Sequence, residues 1–318
     1  MDLTTNYLGQ ELKNPIIVGS CELTSNIEDI KRLEKAGAGA VVLKTLLNDE
    51  MDLEDYQIHC ANKHKFPDSL NYINTYVSEG SLQKYLDLIS ELKKEVSIPI
   101  FSSINCHPKE DWVEFARKAE LAGADGTELN VMMLPCKFER SGKENEQYYF
   151  KVAEKARKVL KKPIALKMSS YSAGLARLVQ DLSWTKDLDA FVFFNRFYKP
   201  DIDIENLTLK TKNNLSAPAD ITDSLRWILL LSRMVKTPMI GNTGIHSGED
   251  VIKHLLAGAS GVQVVSALYR NDISIVEEMI SELKSWMERK NFNSLEDFRG
   301  LMHDKLIERK TIENSHTF

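Results

Sequence analysis

Five polar residues stand at the ends of short apolar segments in this sequence. They are Lys44, Asn105, Asn130, Lys167 and Asn195. Any one of them alone is readily explained as a structural polar group that finds a partner inside the fold. Five together are hard to explain in that way, because each would need its own partner in apolar surroundings. Their types and positions therefore predict a polar cavity that binds a ligand, provided that the fold brings the segment ends together.

The stretch ELNVMMLPC, residues 128–136, places a thiol close to one of these amides. Asn130 lies near the end of a β-like run, and Cys136 follows the Leu134-Pro135 pair. A thiolate can act as a general base, and the neighbouring Lys137 would favour the thiolate form. Cys136 is therefore our candidate for a catalytic residue. A loop cysteine without any role explains the same letters equally well, and both interpretations stay open.

A second motif, GNTGIHSGEDVIKHLL at 241–256, has the features of a phosphate site. Gly244 allows the backbone to approach a ligand, and Ser247 with Asp250 has the spacing of a helix capping box. Together with Ser266 further along the chain, this motif predicts a phosphate cup at a helix start. The alternative is that the glycines only form a turn between a strand and a helix.

A sequence motif that occurs three times predicts the helices and strands that must position these residues. Ala-Gly-Ala appears within residues 35–44, 121–130 and 256–265, each time after an amphipathic helical pattern and before a β-rich run. This is typical of a helix that ends in a glycine and leads into a buried strand.

Eight apolar runs of this kind alternate with helical patterns along the chain. They span 14–20, 40–45, 99–105, 126–131, 163–169, 190–195, 238–244 and 261–267. Runs without polar alternation indicate parallel strands covered on both faces. We therefore predict an α/β fold, a single (β/α)8 barrel, with one domain over 1–318. A long insertion (46–98) follows strand two, a smaller one (196–237) follows strand six, and a helical tail begins at about 291. A doubly wound sheet is the alternative.

Composition limits the partners of this protein. The chain has 318 residues, 43% of them hydrophobic, and a formal net charge of −5, which gives no reason to expect nucleic acid. The four cysteines form no C-x-x-C pair, so we expect no metal site and a reducing compartment. The polar start and the lack of a long apolar run predict a cytoplasmic protein without a membrane segment.

Several segments in this order resemble the dihydroorotate dehydrogenase family. They are YLGQELKNPIIVGS, AVVLKT, ELN, ALKMS, an asparagine that closes strand six, and GASGVQVVSAL. The resemblance covers nearly the whole chain and is closer to the soluble class 1 enzymes. It implies an FMN-containing barrel that oxidises dihydroorotate to orotate in pyrimidine biosynthesis. Family members are often dimers, and the sequence leaves a homodimer open.

The resemblance also implies roles for individual residues. The flavin would be bound by Gly19, Ser20, Lys44, Thr45, Asn105, Asn130 and Lys167, and its phosphate by Thr243, Gly244, Val265 and Ser266. The substrate ring would be bound by Asn71, Asn130 and Asn195. Lys44 and Arg196 bring two cations to the same cavity, which predicts an orotate-like anion as the small-molecule substrate.

The departures from the family pattern fall at the chemistry. Met133 stands where the family has its catalytic cysteine, and Pro135 stands where it has a second asparagine. Arg196 replaces a small hydroxyl residue, and Asn242-Thr243 replaces glycines. The chain is thus expected to be a divergent dihydroorotate dehydrogenase-like protein with an altered catalytic loop.

Two other functions remain compatible with the same residues. A barrel lyase or isomerase could use Lys167 as a Schiff-base nucleophile on a phosphorylated substrate. A flavoprotein that acts on another substrate, or that has lost its base and no longer catalyses, would also keep the flavin residues.

Overall fold

A closed barrel of eight parallel strands organises the protein. The computed structural model describes residues 1–45, 79–106, 112–197, 200–211, 215–303 and 305. In chain order the elements are β1 (Thr5–Tyr7), β2 (Gln10–Leu12), β3 (Ile16–Val18), α1 (Ile27–Lys35), β4 (Ala40–Val42), α2 (Glu79–Glu95), β5 (Ile100–Asn105), α3 (Trp112–Ala122), β6 (Gly126–Asn130), α4 (Gly142–Arg157), β7 (Ile164–Met168), α5 (Leu175–Thr185), β8 (Ala190–Phe193), β9 (Pro200–Asp203), β10 (Thr208–Thr211), α6 (Ile221–Leu231), β11 (Met239–Asn242), α7 (Gly248–Ala257), β12 (Gly261–Val264), α8 (Ser266–Asn271) and α9 (Ile275–Lys290).

The barrel order is β3-β4-β5-β6-β7-β8-β11-β12, and β12 pairs with β3 to close the ring. All eight predicted strands are present, so the (β/α)8 prediction is confirmed and the doubly wound sheet is excluded. Several strands end earlier than predicted, whereas β5 ends at Asn105 as predicted. Lys44-Thr45, Asn195 and Thr243-Gly244 lie just beyond their strands instead of inside them.

The repeated Ala-Gly-Ala motif forms helix ends, as predicted. Gly37, Gly123 and Gly258 have φ values of 98°, 118° and 106°, in the left-handed region that glycine adopts without a Cβ penalty. At the start of α7, the Ser247 side chain accepts a hydrogen bond from the N–H of Asp250, 3.3 Å away, which confirms the predicted capping box. These two signals set the ends of the helices that cover the barrel.

A short β-hairpin, β1–β2, packs against one end of the barrel, and the sequence did not reveal it. Its turn is formed by Leu8 and Gly9, both with positive φ, as two-residue hairpin turns require. Tyr7 and Leu12 belong to the same buried cluster as inward-facing strand residues such as Phe101 and Ala165. The hairpin therefore fills the end of the barrel at which the strands begin.

The predicted insertions contain recognisable elements. Helix α2 lies inside the span predicted as the first insertion and precedes β5. The second insertion contains the antiparallel hairpin β9–β10, a 3-10 turn at Pro218–Asp220 and helix α6. In the described part of the chain, no helix combines the length and the apolar composition that a membrane span requires.

Candidate active site

Three of the polar residues singled out by the sequence form one row at the carboxyl ends of the strands. Asn105 of β5 is in register with Asn130 of β6, and Asn130 is in register with Lys167 of β7. All three side chains are buried. Since active sites of such barrels lie at this end of the strands, the row marks the centre of the candidate site.

Asn130 is the member of the row with an unused polar atom. Its Oδ1 is buried and has no hydrogen-bond partner among the described residues. A buried amide oxygen without a donor costs about 1–3 kcal/mol, so a donor from a bound molecule would relieve this cost. Asn195 is oriented differently, because its Nδ2 donates to the carbonyl of Val131 at 3.2 Å.

Hydroxyl groups connect the ends of β3, β4 and β5. Ser20 Oγ lies 2.9 Å from Thr45 Oγ1, which in turn lies 2.9 Å from Ser103 Oγ. The Thr45 N–H also donates to Ser20 Oγ at 2.8 Å. This chain fixes the segment that carries Lys44, whose ammonium forms an ion pair with Glu22.

Gly19 is in contact with the end of β12. A Cβ on Gly19 would lie 2.9 Å from Val265 Cγ2 and 3.3 Å from Gln263 Oε1. The first distance is shorter than Cβ contacts in proteins, so a larger residue would push these side chains away. This close approach explains why the sequence has glycine here.

The predicted phosphate cup is an interconnected group of backbone N–H groups and hydroxyls. The Gly244 N–H donates to Ser216 Oγ at 3.2 Å, and the Ser216 N–H donates to Ser266 Oγ at 2.8 Å. Thr243 has φ of 74° although it is not glycine, and its hydroxyl donates to the Phe194 carbonyl at 3.1 Å. Ser216 thus links Gly244 to Ser266 within the predicted cup, accepting from one and donating to the other.

His246 lies beside this cup. Its Nε2 is 3.1 Å from Ser216 Oγ. Burial lowers the pKa of the imidazole, as does the charge of Arg270, while Asp250 opposes both effects. His246 is therefore held mainly in the neutral form at neutral pH.

The loop after β6 places its residues unevenly. Met133 is buried, and its sulfur lies 3.7 Å from Nη1 of Arg140. Cys136 is half-buried, and its N–H donates to the Leu134 carbonyl at 2.9 Å. The loop therefore turns tightly at Leu134–Cys136, and Cys136 is the thiol of this loop.

Arg196 and its surroundings complete the described part of the mouth. Nε of Arg196 lies 3.4 Å from Asp220 Oδ2, and both side chains are largely buried. The Asp220 carboxylate also accepts the N–H of Ala217 at 2.9 Å, which fixes the carboxylate. Asn71, predicted to bind the substrate ring, lies outside the described residues.

Five residues of the site escaped the sequence predictions: Glu22, Glu128, Ser216, Asp220 and Gln263. Glu128 and Gln263 contact Lys167 inside the barrel. A signal for both existed. Gln263 is a polar residue within an otherwise apolar strand, and Glu128 is two residues from Asn130 and so shares its face. Glu22, Ser216 and Asp220 lie far from their partners in sequence, and no local pattern predicts these contacts.

A closed parallel barrel with buried lysine and asparagine side chains at the carboxyl ends of its strands places the chain among the (β/α)8 barrels with a polar site at that end. The family model for dihydroorotate dehydrogenase matches residues 2–287. The chain therefore belongs to the dihydroorotate dehydrogenase family.

Individual relatives also match this chain over nearly its full length. The dihydroorotate dehydrogenase B (NAD(+)) catalytic subunit of Thermoplasma volcanium is 27% identical over 305 residues, which cover 94% of this chain and 98% of that protein. The corresponding subunit of Methanocaldococcus jannaschii is 27% identical over 315 residues, covering 95% and 98%. The dihydroorotate dehydrogenase (fumarate) of Lachancea kluyveri is 25% identical over 324 residues, covering 95% and 98%.

Proposed function

We propose that this chain is an FMN-dependent oxidoreductase that oxidises a dihydroorotate-like ring to the corresponding orotate-like ring. The observation that carries the proposal is the row of Asn105, Asn130 and Lys167 across three adjacent strand ends. The row supplies two amides and one cation at the same level, which suits the polar edge of a flavin ring.

The described residues fit FMN. Lys167 supplies a buried cation, and Asn130 Oδ1 supplies an acceptor without a partner among the described residues. The residues that would hold the cofactor are Gly19, Ser20, Lys44, Thr45, Asn105, Asn130, Lys167, Thr243, Gly244, Val265 and Ser266. When bound, FMN supplies hydride acceptance from the substrate. Lys167 would stabilise the negative charge that the ring system gains on reduction.

The substrate is expected to be a planar anion. Lys44 and Arg196 bring two cations to the mouth, and a guanidinium matches the two oxygens of a carboxylate. Asn130 and Asn195 supply amides to the ring, together with Asn71. The catalytic loop would be altered relative to the family. Met133 stands at the position of the family's catalytic cysteine, and a methionine cannot accept a proton.

We assign the role of general base, which takes the proton from the substrate, to Cys136. It is the nearest thiol after Asn130 on the loop that carries the family's base, and it is half-buried. A positioned general base contributes about 100-fold to 10,000-fold to a rate.

A Schiff-base mechanism on Lys167 is disfavoured by its surroundings. Lys167 forms a buried ion pair with Glu128, with 3.5 Å between Nζ and Oε1. A Schiff-base nucleophile must instead be an uncharged amine. The described contacts of Lys167 therefore suit a fixed cation better than a nucleophile.

The cofactor is tested by denaturing the purified protein and identifying the released chromophore. FMN is the expected result, and absence of flavin, or FAD alone, would overturn the proposal. Lys167→Ala is expected to weaken FMN binding at least about tenfold, because it removes the cation beside the ring. Lys151→Ala is the matched control, since Lys151 is an exposed lysine of α4; it should bind FMN as the wild type does.

The reaction is tested by anaerobic mixing of the FMN-containing protein with dihydroorotate. Bleaching of the flavin absorbance is expected, and Cys136→Ala is expected to slow it at least about 100-fold. Cys21→Ala is the control, because burial raises the pKa of the Cys21 thiol and keeps it protonated. Unaltered reduction in Cys136→Ala would place the base elsewhere. A wild type that binds FMN but is not reduced would mean another substrate or a non-catalytic flavoprotein.

A further inference from the structure

Three buried polar side chains meet inside the barrel behind the candidate flavin site. Lys167 is 8% exposed, and Glu128 and Gln263 are each 1% exposed. Lys167 Nζ lies 3.1 Å from Gln263 Oε1 and 3.5 Å from Glu128 Oε1. Gln263 Nε2 donates in turn to Glu128 Oε2. The three side chains therefore form a closed triangle around one ammonium.

The triangle spans the barrel. Glu128 is on β6 and Gln263 on β12, which lie four strands apart in the ring of eight and hence on opposite sides. Barrel interiors are ordinarily filled by branched apolar side chains. A buried ion pair contributes little net stability compared with apolar residues of similar size, because both charges lose their hydration. Stability therefore gives no adequate reason for a charged group at this depth.

The carboxylate of Glu128 is only partly satisfied by its neighbours. Its Oε1 has no hydrogen-bond partner among the described residues, and neither has the buried hydroxyl of Tyr7. Burial raises the pKa of Tyr7, and the charge of Glu128 adds to this effect. Glu128 is thus a buried negative charge whose field reaches its surroundings with little screening.

We propose that Glu128 and Gln263 are positioning residues that set how much positive charge Lys167 presents to the flavin, and thereby set the flavin's reduction potential. The inference rests on the proposed function, since it assigns a role to residues behind the FMN site. Reduction adds negative charge to the flavin, and an ammonium next to the ring stabilises it. A carboxylate in contact with the same ammonium cancels part of that field. Gln263 aligns the two groups by accepting from one and donating to the other.

The test is the midpoint potential of the protein-bound flavin, measured against reference dyes between pH 6 and 8. Glu128→Gln keeps the size and the acceptor oxygen but removes the negative charge. We expect it to shift the equilibrium towards reduced flavin by about tenfold, which is about 30 mV for a two-electron couple. Lys167→Met should shift it in the opposite direction. The double variant Glu128→Gln/Lys167→Met buries no charge, and its potential should lie between those of the single variants.

Thr127→Val is the matched control on the same strand. Thr127 is buried next to Glu128, and its hydroxyl lies 2.9 Å from Ser102 Oγ, so the substitution removes a buried hydrogen bond without changing charge. Its potential should equal that of the wild type. An unchanged or lower potential in Glu128→Gln would overturn the inference while leaving FMN binding intact. If Glu128→Gln does not fold, a double variant with the same potential as Lys167→Met would overturn it. A wild type without flavin would instead overturn the proposed function and this inference with it.

Discussion

Lys44 and Glu22 form an ion pair in which one partner is buried and the other is largely exposed. The Lys44 side chain is 7% exposed and that of Glu22 62%. Glu22 begins a 3-10 turn, Glu22–Thr24, whose last residue accepts the Lys44 N–H through its carbonyl at 3.3 Å. Lys44 therefore contacts this turn twice, through its backbone N–H to Thr24 and through its ammonium to Glu22. Glu22 contacts the ammonium to which we assign the substrate's carboxylate.

Glu22→Gln is expected to tighten orotate binding about fivefold, because an internal carboxylate no longer competes for Lys44. The figure corresponds to about 1 kcal/mol, the upper range for an ion pair with an exposed partner. The affinity for uncharged uracil should not change. Both affinities can be measured by titrating the flavin absorbance of the FMN-containing protein.

A remote carboxylate provides the control for this prediction. Glu249 is exposed and forms an ion pair with Lys253 at 2.8 Å on α7. Glu249→Gln removes the same charge from the protein and should leave both affinities as they are. An equal gain for orotate and uracil in Glu22→Gln would show that the ion pair does not select for charge.

The barrel could be predicted from sequence because its signals are local. Each strand is a short apolar run, and the glycines Gly37, Gly123 and Gly258 mark helix ends within a few residues of the next strand. The hairpin β1–β2 escaped prediction because its strands have three residues each, too few for a period of two to be recognised. It is ordered by burial of Tyr7 against the barrel, which no local pattern encodes.

The sequence predicted the polar residues at the strand ends but not the residues that contact them. Asn105, Asn130 and Lys167 were identifiable because strand ends of a barrel converge. The carboxylates that pair with Lys44 and Arg196 were not identifiable. Glu22 lies 22 residues from Lys44 and Asp220 lies 24 residues from Arg196, so each pair comes together only in the folded chain. The sequence therefore identified the cations of the mouth without revealing that carboxylates accompany them.

The buried imidazole of His254 makes stability depend on pH. Burial lowers its pKa from 6.5 to about 4. Nδ1 lies 2.9 Å from the Asp250 carbonyl, which can only accept, so Nδ1 carries the proton and Nε2 accepts from the Ser224 hydroxyl at 3.0 Å. A folded pKa below the unfolded one means that the unfolded chain binds the proton more tightly. Stability is thus retained above pH 6.5 and lost as the pH falls from 6.5 towards 4.

The free energy of unfolding should fall by about 2 kcal/mol between pH 7.5 and pH 5 through this residue. Urea unfolding of wild type and His254→Asn at both pH values measures it. The variant is expected to be less stable overall but to lose about 2 kcal/mol less on acidification. His246→Asn is the comparison, because burial of that half-buried ring also lowers its pKa, and it should flatten the dependence only slightly. A wild-type slope in His254→Asn would refute this assignment.

Gly244 is expected to be the glycine of the phosphate cup that least tolerates a side chain. Its φ is 80°, and a Cβ would lie 2.1 Å from the backbone nitrogen of Ile221 and 2.7 Å from the carbonyl carbon of Asp220. Backbone atoms cannot rotate away as a side chain can, so the start of α6 would have to move. We expect Gly244→Ala to lower the free energy of unfolding by at least about 3 kcal/mol, from combined strain and overpacking, and to weaken FMN binding.

Gly142→Ala is the matched control, since nothing lies within 4 Å of the added methyl at the start of α4. It should be neutral or stabilise by up to about 1 kcal/mol. Urea midpoints of the two variants decide the matter, and equal midpoints would mean that the cup and α6 separate easily.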